Sequence, residues 1–142
     1  MVMITLAGIF MAPSASAAGY GCPGSQIDTY AIKSSGGTTY GTVHLYYNSS
    51  TGSNCAVAVA NSTGGSGQAG WFRSVAIMRC AETTPGGPCT TVSGTYKNDA
   101  GYYLQYAGPV TVTAAGKCIK VYGAMHKDGA YAEGYSKAAH CG

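Results

Sequence analysis

The stretch that decides the fold is TVHLYYNSSTGSNCAVAV, residues 42–59. Residues 42–47 alternate, placing Val43, Leu45 and Tyr47 on one side. A period of two is the signature of a strand with one buried face. Asn48, Ser49, Ser50, Gly52 and Asn54 then crowd into a few positions, and these residue types favour turns for steric and hydrogen-bonding reasons. Cys55-Ala56-Val57-Ala58-Val59 returns as a second β-rich run, so the stretch predicts a hairpin.

The same pattern extends outward. Residues 71–79 (WFRSVAIMR) follow the glycine-rich break Gly64-Gly65-Ser66-Gly67. Further strands are expected at 90–96, 102–106, 110–113, 118–124 and 130–135. Turns are expected at 97–101, 114–117 and 127–129, with a break at Gly108-Pro109. No segment has convincing helical periodicity, and there is no linker or repeat. The expectation is an all-β chain: a single antiparallel β-sandwich or barrel of about eight or nine short strands, braced by disulfides.

Composition narrows the class. Charged residues make up 9% of the chain and hydrophobic ones 46%, too apolar for disorder in spite of the many glycines. The net charge of +3 is spread over scattered lysines and arginines, so nucleic acid is not an expected partner. Residues 1–17, MVMITLAGIFMAPSASA, read as a signal peptide. The apolar run is shorter than the roughly 20 residues that span a bilayer, and Ala15-Ser16-Ala17 offers a cleavage site before Ala18. No Lys or Arg precedes the run, which points to a true start further upstream. The mature domain is then 18–142, exported, with no membrane span after cleavage.

Six cysteines suit an oxidising compartment. Without CxxC motifs or nearby histidine pairs they read as three disulfides, with no metal and no cofactor expected. Cys80 and Cys89 enclose a short Gly/Pro loop and are expected to bond each other, a closure worth about 2–3 kcal/mol in the chain-entropy model. Cys22 and Cys55 are expected at one end of a sheet but a strand apart. At roughly 4.8 Å per strand that exceeds disulfide reach, so each leans towards Cys118 or Cys141.

The ending Ala138-Ala139-His140-Cys141 matches the way trypsin-like proteases present their catalytic histidine. Their order of histidine, aspartate and serine cannot follow here, because only two residues come after His140. A permuted set of Ser66, Asp28 and His140 has nothing else to recommend it. Asp128 and Glu133 could meet across the last hairpin, but read more simply as a solvated pair. No catalytic residue is assigned, and the chain is expected not to be an enzyme.

Tyrosine is abundant, with 12 copies, and offers rigid amphipathic contact area as well as strand propensity. The neighbours Tyr46-Tyr47 and Tyr102-Tyr103 must point to opposite faces of a strand. Tyr46 and Tyr103 are interaction candidates, as is the single Trp71 after its glycine-rich loop. Arg79, beside Cys80, is the residue that a secreted proteinase inhibitor would present to a trypsin-like pocket.

GCPGS around Cys22, YGTVHLYYNSSTGSNCAVAV, YYLQYAGPVTVTAAGKCIKVYGA and the final Cys141-Gly142 together resemble spore-associated protein A. The resemblance covers most of residues 22–141 and departs at 64–89, where Trp71 and the Cys80/Cys89 loop appear. It implies export and association with the cell or spore surface, and it supplies no catalytic residues. A more distant likeness is to small adaptor subunits of secreted antibacterial toxin particles. The expected function is a non-enzymatic secreted interaction protein, at the cell or spore surface or as an adaptor in a secreted complex. Its partner is expected to be a secreted or surface protein, or a glycan. The alternatives are the inhibitor presenting Arg79 and a carbohydrate-binding module using Trp71 and tyrosines.

Overall fold

The computed structural model describes residues 19–142; the expected leader lies outside the described residues. Eight strands follow in order: β1 (Ser25–Lys33), β2 (Thr39–Asn48), β3 (Ser53–Ala60), β4 (Phe72–Arg79), β5 (Lys97–Gly101), β6 (Tyr106–Thr113), β7 (Ile119–Lys127) and β8 (Ala130–Tyr135). All pair antiparallel in one sheet of order β5-β4-β7-β8-β1-β2-β3-β6. The sheet curls until β5 approaches β6, giving a nearly closed barrel. No helix among the described residues is long and apolar enough to cross a membrane.

Every strand but β5 sends residues inward. Ile32, Val43, Leu45, Val75, Ile77, Ile119, Val121 and Met125 form the core with Ala56, Ala58 and Ala132. The interior is narrow, which explains the small residues there. A Cβ at Gly123 would press on Val43 and Ile32, and one at Gly134 would overlap the Ala31 carbonyl. Bulk is therefore forced to the outer face, where most of the tyrosines stand.

The seam between β5 and β6 is closed by a side chain. Asp99 on β5 accepts the Gly108 N–H at 2.8 Å with one oxygen and the Tyr103 hydroxyl at 2.6 Å with the other. Residues 97–101, expected as a turn, are thus a strand, and 90–96 and 102–105 are not. Local propensity favoured a turn at Asn98-Asp99. Pairing with β4, from Ile77↔Lys97 to Arg73↔Gly101, overrides it. β6 also runs through Gly108-Pro109, where Val57 alone faces the pair in a bulge between Ala56↔Val110 and Ala58↔Ala107. Proline is tolerated there because the ladder is already interrupted.

The disulfides are Cys22–Cys55, Cys80–Cys89 and Cys118–Cys141. The Cys80–Cys89 expectation matches. The leaning of Cys22 and Cys55 towards Cys118 or Cys141 is corrected. Cys22 does not sit in a strand beside β2; it precedes β1, in a turn closed by the bond from Cys22 N–H to the Gly19 carbonyl at 3.0 Å. Gly21 and Gly24 have φ of 85° and 92°, which fold this segment back over the outer face of β2 to reach β3. The strand-spacing argument fails because the segment lies above the sheet, not within it.

All three disulfides lie at or near one end of the barrel. The other end holds the loops 61–71 and 102–105, and they are tied by Arg73. Its guanidinium donates to the carbonyls of Tyr103, Gly64 and Gly65, each at 2.8 Å, and of Leu104 at 3.2 Å. The residue is fully buried, and burial pushes its pKa down. Arginine's fork of N–H groups suits a cluster of carbonyls that a single ammonium could not span.

Candidate functional site

None of the four interaction candidates from the sequence joins another in a common site. Trp71 is buried, only 8% exposed, with its ring against Tyr40 at 5.8 Å and the Arg73 guanidinium over it at 5.8 Å. The glycine-rich loop before it packs on the ring, since a Cβ at Gly65 would overlap the indole. The expected exposed anchor is a core residue. Tyr46 is also buried, at 3%, in a small outer cluster with Cys22, Cys55 and Val57. The returning segment covers it, so of the pair Tyr46-Tyr47 the interaction candidate Tyr46 is the buried member. Tyr103 is partly exposed, but its hydroxyl serves Asp99 and its carbonyl Arg73.

Arg79 sits within a paired strand, opposite Ile119. Its N–H donates to Thr95 Oγ1 at 3.1 Å and its carbonyl accepts Val92 N–H at 2.9 Å. An inhibitor loop docks through free main-chain groups, and the Arg79 N–H and carbonyl are both engaged within the chain.

The protease-like ending does make one contact that a triad would need, although the sequence offered no reason to expect it. His140 Nε2 lies 2.9 Å from Asp28 Oδ2, beside a barrel-mouth cleft of about 470 Å³ lined by Ile27, Tyr47, Asn54 and Ala114. Tyr30 donates to the same Asp28 oxygen at 2.9 Å. Partial burial opposes ionisation of Asp28, but the hydrogen bonds from His140, Tyr30 and the Thr29 N–H outweigh it and hold the carboxyl below its usual value. Burial and the same carboxylate push the Tyr30 phenol well up. Ser66 is in the loop between β3 and β4, at the opposite end, so the permuted triad is not assembled. Asp128 occupies the β7–β8 turn while Glu133 faces Ala124, so those carboxylates are not cross-strand partners. Cys80, Glu82 and Cys89 come together, but both sulfurs are spent in the disulfide.

The surface that the sequence reading missed is the outer face of β4, β7 and β8. Tyr102 meets Phe72 edge-on at 5.3 Å, Phe72 meets His126 at 5.0 Å, and His126 meets Tyr131 at 6.4 Å. Tyr131 and Tyr122 hydroxyls are 2.9 Å apart, and each donates to Glu133 Oε2, at 2.9 and 3.2 Å. Burial first, then the bond to Tyr131, pushes the Tyr122 phenol well up. Lys120 Nζ lies 5.3 Å from the Tyr135 ring centre. Tyr102, Tyr131 and Tyr135 are 73%, 48% and 58% exposed, so the track is open to a partner. At its upper end it runs into a cleft of about 360 Å³ lined by Gly86, Gly87, Cys89, Lys120, Tyr135 and Lys137. The sequence did carry a signal: in AYAEGY, Tyr131, Glu133 and Tyr135 alternate with Ala132 and Gly134.

Part of the chain is similar to spore-associated protein A of Streptomyces coelicolor (strain ATCC BAA-471 / A3(2) / M145), at 41% identity over 80 residues. The match covers 56% of this chain and 42% of that protein, so it spans less than half of the relative's length. No family model matches the chain, and no solved structure matches it significantly.

Proposed function

We propose that the chain is a non-enzymatic, exported interaction protein that acts at the cell or spore surface and presents the outer face of β4, β7 and β8 to its partner. The observation that carries this reading is the open aromatic track from Tyr102 to Tyr135, whose three exposed tyrosines are 73%, 48% and 58% in water. Large rings left exposed along one face, with fixed hydroxyls between them, are typical of recognition surfaces. Similarity to a protein named for spore association supports the location, and three disulfides support an oxidising compartment. An adaptor role in a secreted complex would use the same face with a protein as partner.

The test is retention of the oxidised protein on washed cells and spores, alongside its recovery of proteins from culture supernatant. Tyr131→Ala with Tyr135→Ala should abolish retention while leaving the circular dichroism spectrum and Tm unchanged. Retention that ignores both substitutions would remove the face from the proposal. Stoichiometric capture of a secreted protein, without retention on cells or spores, would favour the adaptor.

A further inference from the structure

We infer that the β4–β7–β8 track binds an anionic polysaccharide, with sugar rings laid on Tyr102, Phe72, Tyr131 and Tyr135 and the polymer's acidic groups at Lys120 and Lys137. This rests on the proposal that the track is an interaction surface. Three features select this ligand class. The rings form an extended track, across β4, β7 and β8 through Phe72, His126 and Tyr131 and then along β8 to Tyr135, whereas a protein interface is built round a compact packed core depleted in charge. A chain of sugar rings that follows the bend matches such a track.

Polar groups alternate with the rings beyond Phe72. His126, the hydroxyls of Tyr122 and Tyr131, and Glu133 lie between the aromatic faces. The two phenols are held in place by their shared bonds to Glu133 Oε2, so they present fixed acceptors, and Glu133 Oε1 has no partner among the described residues. Sugars need this alternation, because each ring offers an apolar face and a polar edge. Preorganised groups meet that need at small entropic cost.

Charge sets the sign of the polymer. Lys120 and Lys137 line the cleft that ends the track, and Lys33 neighbours Glu133 on the adjoining strand. Among the described residues the one ion pair is His140 with Asp28, at the barrel mouth, so no lysine of this surface is within ion-pair reach of a carboxylate. Glu82, bonded to the Thr90 N–H, sits beside Cys89 at the edge of the cleft, and Asp99 is held in the seam. Lys33, Lys120 and Lys137 outnumber Glu133 on this face, which complements uronate or phosphate groups.

The experiment is affinity electrophoresis of the oxidised protein through gels holding polyglucuronate, glucosylated poly(glycerol phosphate), or a neutral glucan. Retardation is expected in at least one anionic gel; the stronger of the two identifies carboxylate or phosphate as the acidic group. Tyr131→Ala with Tyr135→Ala should weaken it at least about fivefold. Lys120→Gln with Lys137→Gln should weaken it and flatten its dependence on salt. All four positions are on the surface, and an unchanged Tm checks that the variants fold.

Equal retardation by the neutral glucan, or retardation that neither pair of substitutions alters, overturns the inference. So does the absence of retardation in every gel. If the last result comes with tyrosine-dependent retention on cells or spores, only the ligand class is wrong. Without such retention, the interaction surface falls with it.

Discussion

Arg73 Nη1 donates to the Gly64 carbonyl across 2.8 Å of fully buried space, and among the described residues no carboxylate pairs with it. The side chain does for the lower end of the barrel what disulfides do for the upper one. Truncation strands four loop carbonyls and opens a void. Arg73→Ala should cost roughly 3 kcal/mol or more, read by denaturant unfolding. Arg73→Lys should recover only part of that, because an ammonium cannot reach all four acceptors. A loss below about 1 kcal/mol would show that the loops hold themselves.

Cys22–Cys55 closes a separation of 33 residues, the longest of the three, and carries the segment that covers Tyr46. Replacing both cysteines by alanine should cost about 3–4 kcal/mol in the chain-entropy model. It should also release Tyr20 from its contacts with Tyr106 and His44, at 5.2 and 5.6 Å. Faster hydrogen exchange at residues 19–24, with β7 and β8 unchanged, is the expected pattern. Peptide mapping of the native protein checks the pairing directly.

Asp99 substitutes for a missing ladder between β5 and β6. Asp99→Ala should lower stability by about 1–2 kcal/mol, since a charge-assisted bond to a backbone N–H is lost together with that to Tyr103. The local signature should be faster exchange of the Gly108 amide, with that of Val121 in the centre of the sheet unaffected.

His44 and Asp28 each make stability depend on pH, in separate windows. Burial lowers the pKa of His44 from its usual 6.5. The unfolded chain then binds more protons between that value and the folded one, and stability falls as pH drops through the interval. His44→Gln should flatten this slope, measured as Tm against pH. Its Nδ1 lies 2.7 Å from Gln26 Oε1, so the ring carries its proton at Nδ1 when it donates there.

Asp28 acts lower. Its folded pKa lies below the ordinary 3.8, so its contribution is complete above that value and is lost as pH falls through the folded one. His140→Ala removes one of the bonds that hold the carboxylate. An NMR titration should show Asp28 moving up towards its ordinary value, while the loss of stability at low pH becomes shallower. No movement would mean that Tyr30 and the Thr29 N–H suffice.

Much of the architecture was legible from local order alone. The alternation of Val43 and Leu45, the return through Cys55 to Val59, and the Asp128-Gly129 turn each state their structure within a few residues. Asp128 and Gly129 have φ of 48° and 84°, as a two-residue hairpin turn requires. The Cys80–Cys89 pairing was legible for the same reason: the loop that joins them is short.

What only the tertiary structure decided involves groups that meet from distant parts of the chain. Residues 97–101 become a strand because β4 has an edge to fill, although their local preference is for a turn. Trp71 is buried because a loop folds over it, and Tyr46 because a segment some 25 residues earlier does the same. The aromatic track required knowing that β4, β7 and β8 are neighbours in the order 4-7-8, which no local pattern states. Periodicity assigns a residue to one of two faces; only the closed, narrow barrel says which face has room for a ring.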